Sequence, residues 1–155
     1  MSLLFEALRD LAELALGCTS CRFVGDDVVD PSLLEHARMG GLVHLSSAST
    51  ALHVGVLATP EHCAVLARRL LGQVAETRLP DALVRGAMCE LAYLLAGGVK
   101  RRLSFVGALS VGQPAFFQGT VARRSGWETR LLGVELDAMQ AMLVSVAPSH
   151  SALLL

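Results

Sequence analysis

Residues 80–103 constrain this chain more than any other stretch. Laid out at 3.6 residues per turn, Val84, Met88, Leu91, Leu95 and Val99 fall on one stripe, and Gly86, Glu90, Tyr93 and Gly97 fall on the opposite one. The spacing predicts one long helix with a packed face and a displayed face. An apolar stripe of this length needs a surface to receive it, so the rest of the chain must supply one. The displayed stripe carries an acid and a phenol between two glycines. Without Cβ atoms there, another chain can approach the helix backbone closely, with a charge and a ring to hold it.

The chain has 155 residues, which suits a single domain over residues 1–155: an N-terminal helix and connection (1–38), a core (39–147) and a tail (148–155). With 53% of residues apolar and 17% charged, the composition excludes a disordered chain and requires extensive burial. A net charge of −1 gives no global attraction to nucleic acid or to an anionic membrane. The basic runs at Arg68-Arg69, Lys100-Arg101-Arg102 and Arg123-Arg124 read as solvated faces. The first residues lack the basic start and small-residue cleavage site of a signal peptide, and Glu6, Arg9 and Asp10 interrupt them. Residues 80–103 come nearest to a membrane span but carry Arg85 and Glu90. The expectation is a cytoplasmic protein with no membrane insertion, and its cysteines at 18, 21, 63 and 89 are read as reduced thiols.

In chain order, Leu3, Leu4, Ala7, Leu8, Leu11, Leu14 and Ala15 recur at helical spacing, and Gly17 ends the run, predicting a first helix over residues 2–16. Cys18 to Pro31 is rich in turn formers and reads as a connection. Its Cys-x-x-Cys lacks a second ligand pair at zinc spacing, since His62-Cys63 falls inside a predicted helix, so two small thiols at a helix end are the preferred reading. Leu42 to Leu45 and Leu52 to Leu57 flank a Ser/Thr-rich turn and predict an antiparallel hairpin. In its register His44 and His53 face each other, a geometry for a metal pair or a pH-sensitive contact. No third ligand is visible, so sheet-face histidines are preferred, and no metal or cofactor is predicted.

Thr59-Pro60-Glu61 has the chemistry of a helix start, with a hydroxyl cap, proline in the first turn and an acid at the positive end of the dipole. That helix runs to Leu71 and stops at Gly72, and Pro80-Asp81 repeats the start for the long helix. The pattern then switches to period two. Leu109 to Val111, Phe116 to Arg123, Trp127 to Leu136 and Met142 to Val146 read as a meander of antiparallel strands, with a tight turn at Arg124-Ser125-Gly126. Phe116, Phe117 and Trp127 read as packing residues within these strands. The architecture predicted is α+β, an antiparallel sheet with helices on one face.

Glu90, Leu91, Ala92, Tyr93, Gly97, Gly98 and Lys100, followed by Pro114 and Gly119, resemble the CheC/CheX/FliY group of chemotaxis phosphatases. The similarity is clearest to CheX-like members, in which a helix of the form Glu-x-x-Asn-x-x-x-Gly-x-x-Lys precedes a strand with proline and glycine. It covers about residues 40–147 by element order, and Gly72 fits the same pattern. The resemblance implies a CheC/CheX-like sheet with long helices on one face, and docking on a phosphorylated receiver domain. In the family the helix glutamate contacts the receiver's active-site lysine, and the asparagine orients the water that attacks the aspartyl phosphate.

Glu90 stands at the glutamate position and Tyr93 at the asparagine position. A carboxamide offers donor and acceptor on a short arm, whereas a phenol reaches further and fills the place of the water. Gly86 also replaces the aspartate or serine often found one turn earlier. The family includes non-catalytic members such as the FliM middle domain, so the expectation is a catalytically degenerate CheX-like signalling domain. It binds a response-regulator receiver or another signalling protein through Gly86, Glu90, Tyr93 and Gly97. Two alternatives stand beside it. One is an active phospho-aspartyl phosphatase in which Tyr93 or another residue places the water; the other is a structural homodimer module joined through sheet edges.

Overall fold

The computed structural model describes residues 2–26, 38–103, 107–121 and 125–149. Asp27 to Pro31 of the expected connection, Arg123 and Arg124 of the expected strand and turn, and the tail beyond Ser149 lie outside them. The elements in order are α1 (Leu3–Leu14), β1 (Cys21–Asp26), β2 (Arg38–Ser46), β3 (Ala51–Ala58), α2 (Pro60–Leu70), α3 (Asp81–Arg102), β4 (Ser110–Val111), β5 (Ala115–Gly119), β6 (Trp127–Leu136) and β7 (Met139–Pro148).

Local chemistry accounts for the helix ends. Ser2 caps α1 through Leu4 N–H, and Thr59 caps α2 through His62 N–H with Pro60 opening the first turn. Gly17 and Gly72 follow α1 and α2 with φ of +59° and +65°, the left-handed conformation that ends a helix. α3 departs from the expected start: Pro80 occupies the cap position, with no side-chain hydrogen bond, rather than the first turn.

All pairings among the described strands are antiparallel, in the order β1-β6-β7-β3-β2-β4, and β5 also pairs with β2. The β2–β3 hairpin has the predicted register, with His44 opposite His53. Two expectations fail. Cys21 to Asp26 is a strand rather than a connection, paired along β6 with a bulge between Phe23 and Gly25. The last strands are not a meander: only β6 and β7 form a hairpin, while β5 lies on the far side of the sheet, antiparallel to Arg38–Leu42 of β2. There Phe117 packs toward the Leu57, Leu131, Met142 and Val144 cluster, and the Phe116 ring lies under Arg85 of α3.

α1, α2 and α3 cover one sheet face. Val84, Met88, Leu91, Leu95 and Val99 of α3 are all buried, joining Leu4 and Leu8 of α1, Leu66 of α2 and Val43, Leu45, Val54 and Val56 of the sheet. Each such side chain contributes ~1.5–3 kcal/mol through burial. α3 alone has the length and apolarity of a membrane span among the described residues, and half of that stretch is buried within this fold. Gly41 permits the close seating of α3 on β2. A Cβ at Gly41 would stand 2.5 Å from the Met88 carbonyl oxygen and 2.8 Å from Ala92 Cβ.

Candidate functional site

Seating one face of α3 in the core decides which residues the opposite face presents. Gly86, Glu90 and Tyr93 are exposed, Gly97 is half-buried, and Lys100 continues the line as an exposed cation. At 1.5 Å per residue the line from Gly86 to Gly97 is about 16 Å long, the length of a helix-sized contact. Tyr93 is 44% exposed, so its ring can reach another molecule. Among the described residues, neither Glu90 nor the Tyr93 hydroxyl has a hydrogen-bond or ion-pair partner, so both are available to another molecule.

The two glycines differ from Gly41. A Cβ at Gly86 would meet nothing within 4 Å, and one at Gly97 only the Arg101 guanidinium at 3.8 Å. Among the described residues nothing requires glycine at either place; what their absence of side chain leaves there is clear space over the helix backbone. On one flank the Arg85 guanidinium stacks 5.1 Å from the centre of the Phe116 ring, which ties β5 to the helix and sets a cation and a ring beside the line. At the C-terminal end, Arg102 pairs with Asp10 at 2.5 Å and lies 3.9 Å from Glu6, fastening α3 to α1. The face is therefore tied to β5 and α1 at its flanks and polar at its centre. It has an acid, a phenol and flanking cations, but no base–nucleophile pair.

The other residues singled out by sequence lie elsewhere. Cys18 is buried, and its sulfur accepts a hydrogen bond from Arg69 Nη1 at 3.2 Å; burial pushes the thiols of Cys18 and Cys21 up. Cys63 is fully buried near the Met39 and Ala58 carbonyls, and burial pushes its thiol up to about 11. His44 and His53 meet on the sheet face away from the helices, ring nitrogens 3.2 Å apart, with Trp127 beside His53.

Sequence reasoning missed Asp137. In the β6–β7 turn, with φ of +51°, it takes hydrogen bonds on one oxygen from the Thr19 and Ser20 backbone N–H groups and hydroxyls. Its other oxygen pairs with Arg69 of α2 at 2.5 Å. The Arg69 bond above all, with those from Ser20 and Thr19, holds the Asp137 carboxyl well below the usual carboxylate range. The only local hint was an aspartate at a two-residue hairpin turn; Arg69 is 68 positions away from it, and Thr19 and Ser20 are 118 and 117.

No protein-family model and no curated protein sequence matches the chain. Solved structures match it closely in fold. The chemotaxis protein CheX from Vibrio vulnificus superposes with a TM-score of 0.73 at 14% identity, covering 94% of this chain and 96% of that one. CheX from Desulfovibrio desulfuricans gives 0.74 at 10% identity over 94% and 96% of the two chains. CheX from Borrelia burgdorferi, solved in complex with CheY, BeF3 and magnesium, gives 0.69 at 15% identity over 94% of each. The fold is that of CheX and CheC-like proteins, as the helix motif implied.

Proposed function

We propose that this chain is a CheX-like signalling domain that recognises a response-regulator receiver through the Gly86, Glu90, Tyr93 and Gly97 face of α3, and that it does not hydrolyse the receiver's aspartyl phosphate in the family manner. The observation that carries the reading is the pairing of Glu90 with Tyr93 on one exposed face. Support for the partner class comes from the fold and from the Borrelia CheX solved with CheY. Glu90 offers a charge to a cation in the partner's acidic pocket, and the clear space at Gly86 and Gly97 lets the partner lie close against the helix.

The chemistry separates recognition from hydrolysis. An acyl phosphate is labile already, so a phosphatase of this kind needs little beyond one correctly placed water. Tyr93 takes up that space with a ring and offers a single hydroxyl in place of a carboxamide's paired donor and acceptor. Docking without water placement leaves the phosphoryl group intact, and steric cover of the pocket protects it.

The test is the lifetime of a phosphorylated receiver in the presence of excess protein. The reading predicts that the wild type leaves the lifetime unchanged or lengthens it, and that Tyr93→Asn shortens it. Acceleration by the wild type, lost in Tyr93→Ala, would instead establish the active-phosphatase alternative.

A further inference from the structure

The sheet face opposite the helices carries a second group of polar residues that the receiver reading does not use. Antiparallel partners share a face, so the register places His44, His53, Val146 and Thr129 in one row across β2, β3, β7 and β6. Trp127 stands in the next row, its ring centre 6.2 Å from that of His53. Next to this row Leu42, Leu57, Phe117, Val144 and Val146, with Thr120 and Thr129, line a cavity of about 320 Å³ that opens beside His53, while the Arg22–Glu135 ion pair lies farther along the same face.

His44 Nδ1 and His53 Nε2 are 3.2 Å apart, and both side chains are only half-buried. Two metal–nitrogen bonds of about 2.0–2.1 Å set their nitrogens about 2.9 Å apart at the right angle of a square-planar ion and about 3.3 Å apart at a tetrahedral angle, a range that includes the separation of this pair. The strands thus already hold two imidazoles at the bite of a chelated ion. We propose that His44 and His53 form a two-histidine site for a divalent late transition metal ion such as Cu²⁺, Ni²⁺ or Zn²⁺, with its remaining positions open toward the cavity beside His53. Imidazole is the ligand these ions share. Among the described residues no third His, Cys, Asp or Glu joins the pair, so water or an added ligand completes the coordination and the ion exchanges readily.

Metal binds the neutral form of an imidazole. In the metal-free pair one ring donates its N–H to the other ring's lone pair. On binding, that ring carries its proton on its other nitrogen instead. Both inward lone pairs then face the ion, and neutral histidines release no proton.

Trp127 is the chain's single tryptophan, so its fluorescence reports on this place alone. The experiment is a Cu²⁺ titration of chelator-treated full-length protein at pH 7.5, following Trp127 emission, with Zn²⁺ as competitor. Saturable quenching at one ion per chain, reversed by Zn²⁺, is expected. The midpoint should move by more than about tenfold in His44→Gln and in His53→Gln, because one ligand is lost from two. His62→Gln serves as the control and should quench as the wild type. Circular dichroism melts establish that each variant is folded. Quenching that is absent in the wild type, or unchanged in both folded glutamine variants, overturns the proposal.

Discussion

Replacing Gly41 and Gly86 separately by alanine adds the same methyl group in two places, and the structure predicts opposite outcomes. At Gly41 the new Cβ meets backbone on α3, 2.5 Å from the Met88 carbonyl oxygen and 3.0 Å from Cys89 Cα. Neither atom can swing aside, so α3 must lift from β2, and the cost falls at the upper end for core overpacking, about 3 kcal/mol. For a domain of this size that lowers the midpoint of thermal unfolding by roughly 6–12 °C. At Gly86 nothing lies within 4 Å and the backbone has no positive φ, so alanine gains only helix propensity, about 0.8–1 kcal/mol. The midpoint should rise by roughly 2–4 °C. The same methyl on the displayed face also obstructs close approach, so Gly86→Ala should weaken receiver binding while stabilising the fold. Thermal melts with a binding titration on both variants decide this. A Gly41→Ala protein as stable as wild type, or a Gly86→Ala protein that binds unchanged, would refute the seating of α3 or the use of its outer face respectively.

Acid should destabilise the fold in two steps. His53 is held below its unfolded value near 6.5 by burial, so stability is present above that value and declines as pH falls through the folded one; His53→Gln should flatten this part of the profile. Asp137 is likewise depressed by Arg69, Ser20 and Thr19, so its contribution is full above the unfolded value near 3.9 and is lost at lower pH. Asp137→Asn should remove that acid-sensitive component in denaturation measured between about pH 5 and 2. Cys63, fully buried with its thiol pushed up to about 11, should resist alkylation at pH 8 until denaturant is added. Mass spectrometry of iodoacetamide-treated native and unfolded protein checks this; native labelling of Cys63 contradicts the packing of α2 on the sheet.

Features with a local cause were legible in the sequence. The two faces of α3 follow from its periodicity, the start of α2 from Thr59-Pro60, and the His44–His53 pairing from the symmetry of the hairpin about its turn. β1 was not legible, because Arg22, Phe23 and Val24 are all exposed and show no alternation; its pairing with β6, more than a hundred residues away, holds it as a strand. β5 was misplaced for a related reason. Turn residues at Ser125-Gly126 invite a hairpin, but Phe116 and Phe117 find their contacts beside β2, under Arg85 on one face and near Leu57 on the other. Of the candidate site, the stripe and its residue types were readable beforehand. Its clear space above Gly86 and the unpaired state of Glu90 depend on what the rest of the chain leaves uncovered.

The central claim is that this uncovered stripe recognises a receiver. Its most direct test is fluorescence anisotropy of labelled receiver domains from the native organism, activated with beryllofluoride and magnesium, titrated with the wild type and with Glu90→Arg/Tyr93→Ala. The account predicts saturable binding to at least one receiver, weakened more than about tenfold in the folded double variant by the reversed charge and the lost ring. Binding to no receiver, or equal binding by the wild type and the double variant, would contradict it.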